Sequence, residues 1–129
     1  MTIKEVSGKF DISQDTLRYY ERVGMIPKVN RTSGGIRNYN EADLAWVELV
    51  VCMRSAGLTV EVLVEYVKLF IEGDDTIQAR LSLLAEQREH LIEQRRKIDT
   101  SLEKLNHKIE RYEVAVETGE LTWDEKENC

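Results

Sequence analysis

A mainly α-helical protein in two parts, a small helical head and one long helix that must pair with another, is what this sequence predicts. Three observations carry that expectation. The 129 residues include one proline and seven glycines while 33% are charged, a composition that suits helices better than sandwiches or barrels. Helix caps recur at short intervals as far as Asp75, and beyond it apolar residues repeat in alternating steps of four and three.

Thr2-Ile3-Lys4-Glu5 has the form of a capping box and opens a first helix to about Lys9. Asp11-Ile12-Ser13 interrupts it, and Ser13 caps a second helix to about Val23, with Gly24 where a left-handed C-terminal residue is wanted. The unit is helix, tight turn, helix. After Pro27, Ser33-Gly34-Gly35 sits between two short extended runs, which predicts a β-hairpin wing. Asn40 to Asp43 caps a third helix to about Ala56, Gly57 ends it, and Thr59 opens a fourth that stops at Gly73. Leu44, Val47, Val50 and Val51, with Leu63, Val64, Val67 and Phe70, recur at helical spacing and are expected to close the core of the head.

Asp75-Thr76-Ile77-Gln78 resembles another capping box. From Ile77 the repeat reaches Val116 and ten of its twelve positions are apolar or aromatic, among them Leu81, Leu84, Leu91, Ile98, Leu102, Leu105 and Ile109; only Arg88 and Arg95 interrupt. A helix of that extent is about 60 Å long. An apolar seam of such length needs a partner helix, and a second copy of the chain is the simplest supplier. The expected divisions are residues 1–72 for the head, 75–117 for the dimerisation helix and 118–129 for a loose tail, from which Trp123 can dock on the coil.

Net charge is −6, which taken alone argues against nucleic acid. The average conceals a division. Residues 1 to 40 hold seven Lys/Arg against four Asp/Glu, a balance of +3, so the other 89 residues carry −9. A basic head on an acidic body concentrates attraction for a polyanion at the head. No apolar run approaches the roughly 20 residues that span a bilayer, so a cytoplasmic protein with no membrane partner is expected. Cys52 and Cys129 are 77 positions apart with no CxxC pair, so neither a disulfide framework nor a metal site is written here, and no cofactor is expected.

The stretch DTLRYYERVGMI puts Arg18 and Arg22 on one helical face, with Tyr19 beside it and Thr16 near its N-terminal end. Arginine can chelate guanine O6 and N7 in the major groove, and arginine and tyrosine also hold phosphates. A solvated face with one tyrosine in the core accounts for the same pattern. The wing favours DNA, because Arg37 and Tyr39 share one side of their strand at period two and Arg31 lies across the turn.

With these residues in view, the chain resembles the MerR family of bacterial transcription regulators. The likeness rests on TLRYYERVGMI, the R-x-x-x-G-x-R-x-Y wing and AGLTVEVL, and covers about 70 residues closely. The resemblance implies a winged helix-turn-helix head whose dimer is joined by an antiparallel coiled coil. It implies binding to palindromic promoter DNA with an overlong spacer, which is bent and untwisted so that RNA polymerase holoenzyme can engage both promoter elements. Carried over by position, Arg18, Tyr19, Arg37 and Tyr39 become DNA contacts, with Arg22, Arg31 and Thr16 beside them.

The metal-sensing branches of that family need a cysteine at the start of the long helix, where this chain reads GDDTIQ. Multidrug and iron–sulfur branches need a ligand domain or a cysteine cluster, neither of which is written here. His90 and His107, 17 residues apart, are too far along one helix to share an ion. Cys52, in VVCMRSAG, reads from the residues alone as a small buried hydrophobe. The resemblance is to the AdhR/NmlR-like aldehyde and nitrosative stress branch, which implies instead that Cys52 is a sensor thiol for a covalent electrophile effector. The alternatives are a DNA-binding regulator of this type with another effector or none, in which Cys52 is structural, and a coiled-coil protein whose basic head binds another protein. No nucleophile with a base, paired carboxylates or phosphate loop suggests an enzyme.

Overall fold

The computed structural model describes residues 1–123; the rest of the tail, with Cys129, lies outside the described residues. Five α-helices follow one another among the described residues: α1 (Ile3–Phe10), α2 (Gln14–Val23), α3 (Glu41–Ser55), α4 (Val60–Glu72) and α5 (Ile77–Thr118).

Local chemistry sets the helix starts. The Thr2 hydroxyl accepts the Glu5 amide at 3.2 Å while the Glu5 carboxylate accepts the Thr2 amide at 3.1 Å, so the expected capping box is present. Ser13 caps α2 by accepting the Thr16 amide at 3.0 Å, Asn40 and Asp43 form a second capping box at α3, and Thr59 caps α4. Gly24 ends α2 at φ +86°, which lets the Met25 amide return to the Tyr20 carbonyl at 2.9 Å. That reversal drives Met25 and Ile26 into the core beside Val6, Leu17, Tyr20, Val47, Val50, Leu63 and Val67. The face of α2 opposite Leu17 and Tyr20 is thereby held outward.

Four expectations need correction. The wing is not a two-stranded ribbon: Arg31 and Arg37 form one isolated antiparallel bridge. The Thr32 amide to the Ile36 carbonyl (2.8 Å) and the Asn38 amide to the Asn30 carbonyl (2.7 Å) cross it, around a turn with Gly35 at φ +82°. Asn30, Thr32, Ile36 and Asn38 are all exposed, so nothing apolar rewards extending the pair. Leu44, Val51 and Val64 are only half-buried. Phe70 is 45% exposed; it meets Trp46 edge-to-face at 5.0 Å and carries the Arg80 guanidinium 5.5 Å above its ring. Asp75 does not cap α5, because residues Asp74–Thr76 wind as a 3-10 turn and the buried Thr76 hydroxyl instead donates to the Leu69 and Gly73 carbonyls.

The described chain forms two compact units, one from Met1 to Gln87 and one beginning at Arg88. The start of α5 thus belongs with the head. No residue of α5 is buried, and Ile98, Leu102, Leu105 and Ile109 all lie open on it. At its end Gly119 reverses the chain, and Trp123 packs edge-to-face on Tyr112 at 5.7 Å, under the Lys108 ammonium at 4.5 Å. No helix among the described residues is long and apolar enough to cross a membrane.

Candidate nucleic-acid interface

The outward side of α2 and the turn after Pro27 enclose an open groove of about 610 Å³ lined by Glu21, Arg22, Lys28, Val29, Asn30, Arg31 and Arg37. Four cations therefore surround one carboxylate. Of the residues expected from sequence, Arg22, Arg31 and Arg37 come together here.

Glu21 organises the groove. One carboxylate oxygen accepts the Val29 amide at 2.8 Å; the other accepts Arg37 Nε at 2.7 Å and has Arg31 3.7 Å away. Its side chain is 10% exposed. Burial is the largest single influence on this carboxyl and raises its pKa. The hydrogen bonds from Arg37 and the Val29 amide, with the charges of Arg37 and Arg31, together outweigh burial and hold it below the usual carboxylate range. A group depressed in the folded state stabilises the fold fully above its unfolded pKa, near 4.5, and loses that contribution as pH falls through the lower folded value. Denaturant titrations should accordingly find wild type more stable than Glu21→Gln near neutral pH, with the difference shrinking as pH falls below that unfolded value and through the lower folded one. A difference independent of pH would remove the ionised carboxylate from the stability of the head.

Thr16, Arg18 and Tyr19 lie on α2 but do not line this groove. Arg18 pairs with Asp15 at 2.9 Å and reaches the Gln14 side chain at 3.4 Å, both on its own helix. Such an exposed pair is worth little and gives way readily to a stronger anion. The Arg22 guanidinium lies 5.5 Å over the Tyr19 ring, which keeps both on the open face. Thr16 is committed to the cap, its hydroxyl 2.8 Å from that of Ser13. Arg31 also donates to the Gly35 carbonyl at 2.9 Å.

Tyr39 departs most from expectation. It is 1% exposed, and its hydroxyl is enclosed without a hydrogen-bond partner among the described residues. Burial raises its pKa, against the charges of Arg37 and Arg18 and with those of Glu21 and Asp43, which places the hydroxyl in the field of both arginine-bearing elements. It cannot meet a phosphate until a neighbouring side chain moves. Cys52, in contrast, is exposed on α3, so its reading as a buried hydrophobe is set aside. Sequence reasoning missed Glu21, Lys28 and Asn30. The signal for Glu21 was an acid inside an otherwise cationic run, RYYER.

An outward α2 held by a tight turn, beside a cation-lined groove, defines a helix-turn-helix protein of the kind that engages duplex DNA. Residues 1–69 match the MerR HTH family regulatory protein model, and the chain belongs to that family. It is 53% identical over 93 residues to the HTH-type transcriptional regulator AdhR of Bacillus subtilis (strain 168), a match that covers 72% of this chain and 66% of that protein. Among solved structures, it matches a MerR family transcriptional regulator from Listeria monocytogenes with TM-score 0.86 and 40% identity over 90% of this chain and 88% of that one. HiNmlR, a MerR family regulator lacking the sensor domain and bound to promoter DNA, matches with TM-score 0.84 and 32% identity over 93% and 95%. The protein is a DNA-binding transcription regulator of AdhR-like type.

Proposed function

We propose that this regulator acts as a homodimer in the cytoplasm, binds a palindromic promoter element, and distorts it so that RNA polymerase holoenzyme can use the promoter, under control of an electrophile that modifies Cys52. The observation that carries the DNA-binding part is the convergence of cations from two separate elements, α2 and the turn after Pro27, on one open groove. Phosphates fix a protein's register on a duplex, and an outward helix beside them can read base edges. The likeness to a relative bound to promoter DNA supports duplex DNA as the ligand.

Arg18 is assigned to base reading and Tyr39 to phosphate. Arg18→Ala is expected to cost about 1 to 3 kcal/mol on the cognate site and to relax discrimination at one base position. Tyr39→Phe removes an enclosed hydroxyl with no partner among the described residues, so it should stabilise the free protein by about 1 kcal/mol while weakening binding to every duplex alike. Anisotropy titrations on cognate and scrambled duplexes, with thermal melts, separate these. Equal, sequence-independent losses for both variants would reduce Arg18 to a phosphate contact, and unchanged affinity in Tyr39→Phe would confine that residue to the core.

For the switch, the support is that Cys52 is open to solvent, together with the likeness to AdhR. The chemistry is addition of the thiolate to an aldehyde carbon, forming a carbon–sulfur bond while the carbonyl oxygen takes up a proton. Nitrosation of the same sulfur is the parallel route. An adduct on the exposed face of α3 would change what that face can pack against in the dimer and so the relative placement of two heads on DNA.

A further inference from the structure

An acid in a surface that meets phosphates is a liability unless it does something that the cations cannot do alone. Glu21 sits among Arg22, Lys28, Arg31 and Arg37, where a bare negative charge would repel a phosphate. Its geometry explains its presence. The carboxylate takes Arg37 by Nε, leaving both terminal guanidinium nitrogens without a hydrogen bond among the described residues. Those two nitrogens form the fork that binds a phosphate in bidentate fashion. The same carboxylate ties the Val29 amide, so it fixes the entry of the turn and the arginine at its exit to α2 at once.

We propose that Glu21 is a positioning residue of the DNA-binding surface, which orients the fork of Arg37 towards one backbone phosphate and sets the turn at a defined place relative to α2. The inference rests on the DNA-binding reading above and adds to it a residue that touches no DNA. An arginine side chain must surrender rotamer freedom to bind, and one already held by its Nε edge has surrendered it beforehand. Glutamine cannot replace Glu21, because the site needs two acceptor oxygens, for the Val29 amide and for Arg37 Nε, and glutamine has one.

The test turns on sign. Removing an acid from a DNA-binding surface strengthens binding if charge alone matters, whereas removing the residue that positions Arg37 weakens it. Titrations of the full chain on a duplex from its own upstream promoter region, across a range of salt, are expected to show Glu21→Gln binding about tenfold more weakly than wild type. The slope of log K against log salt should become shallower by about 0.9 per half-site, for one lost phosphate contact. A head that was only less stable would lose active fraction without changing that slope. In an Arg37→Gln background, Glu21→Gln should cost nothing further.

Arg37→Lys gives an independent reading should Glu21→Gln not fold. It keeps the positive charge but cannot hold Glu21 and fork a phosphate together, so it should bind nearly as weakly as Arg37→Gln. Wild-type affinity in Arg37→Lys, or equal or tighter binding by Glu21→Gln, overturns the positioning role while leaving DNA binding intact. Failure of the wild type to bind its promoter duplex overturns both.

Discussion

Replacing Leu102 and Leu105 together by glutamate is expected to convert the protein to a monomer and to lower promoter affinity by about two orders of magnitude or more. Leu102 and Leu105 are 48% and 55% exposed on α5, within an apolar seam from Ile77 to Val116 no part of which is buried in a single chain. Fully burying one leucine contributes about 1.5 to 3 kcal/mol, so a seam of this length left in water is a large unspent driving force for pairing. Charges at two adjacent seam positions would have to be desolvated opposite an apolar partner, which costs several kcal/mol each. Each monomer carries one outward α2, and a palindrome read by one head forfeits the effective concentration that the second head enjoys in a dimer. Sedimentation velocity and duplex titration on the same preparation check both parts. A variant that still sediments as a dimer would show that pairing does not run through this seam.

Cys52→Ser should leave folding and promoter binding near wild type and abolish the transcriptional response to aldehydes and nitrosating agents. The thiol is exposed, while the core of α3 is built by Val47 and Val50, so exchanging sulfur for oxygen removes a nucleophile without opening a cavity. Intact-mass measurement and peptide mapping after electrophile challenge should place the adduct on Cys52, with transcription changing more than operator affinity. A Cys52→Ser protein that responds normally to every electrophile tested, or an adduct confined to Cys129, would leave a MerR-type regulator with a different effector or none.

These two expectations draw on different kinds of information. The seam was legible in the sequence, because a repeat of four and three persists over forty residues and no tertiary contact is needed to see it. Cys52 was not. Most of α3 from Ala45 to Met53 is apolar, so its periodicity does not distinguish the core side from the open one, and a lone cysteine reads as another small hydrophobe. Packing of Val47 and Val50 against the other helices chose the inward face, and Cys52 was left outside.

The sequence by itself determined the helices and, for all but α5, the residues that cap their starts. Capping residues act within three positions of their own helix, so Thr2, Ser13, Asn40 and Thr59 behave as the local pattern predicts. It also determined that cations gather on α2 and the turn that follows, and that one long helix carries a heptad. Tertiary structure alone decided what the cation-lined groove does with Glu21 and where Tyr39 goes. Period two would have put Arg37 and Tyr39 on the same side, but the pairing stops after one bridge and the chain turns at once into the cap of α3, so Tyr39 goes to the core while Arg37 stays at the groove. Glu21 and Arg37 are 16 positions apart, and nothing local to either predicts their contact. It forms because Gly24 reverses the chain and Met25 and Ile26 bury themselves, which carries the turn back across the outward face of α2.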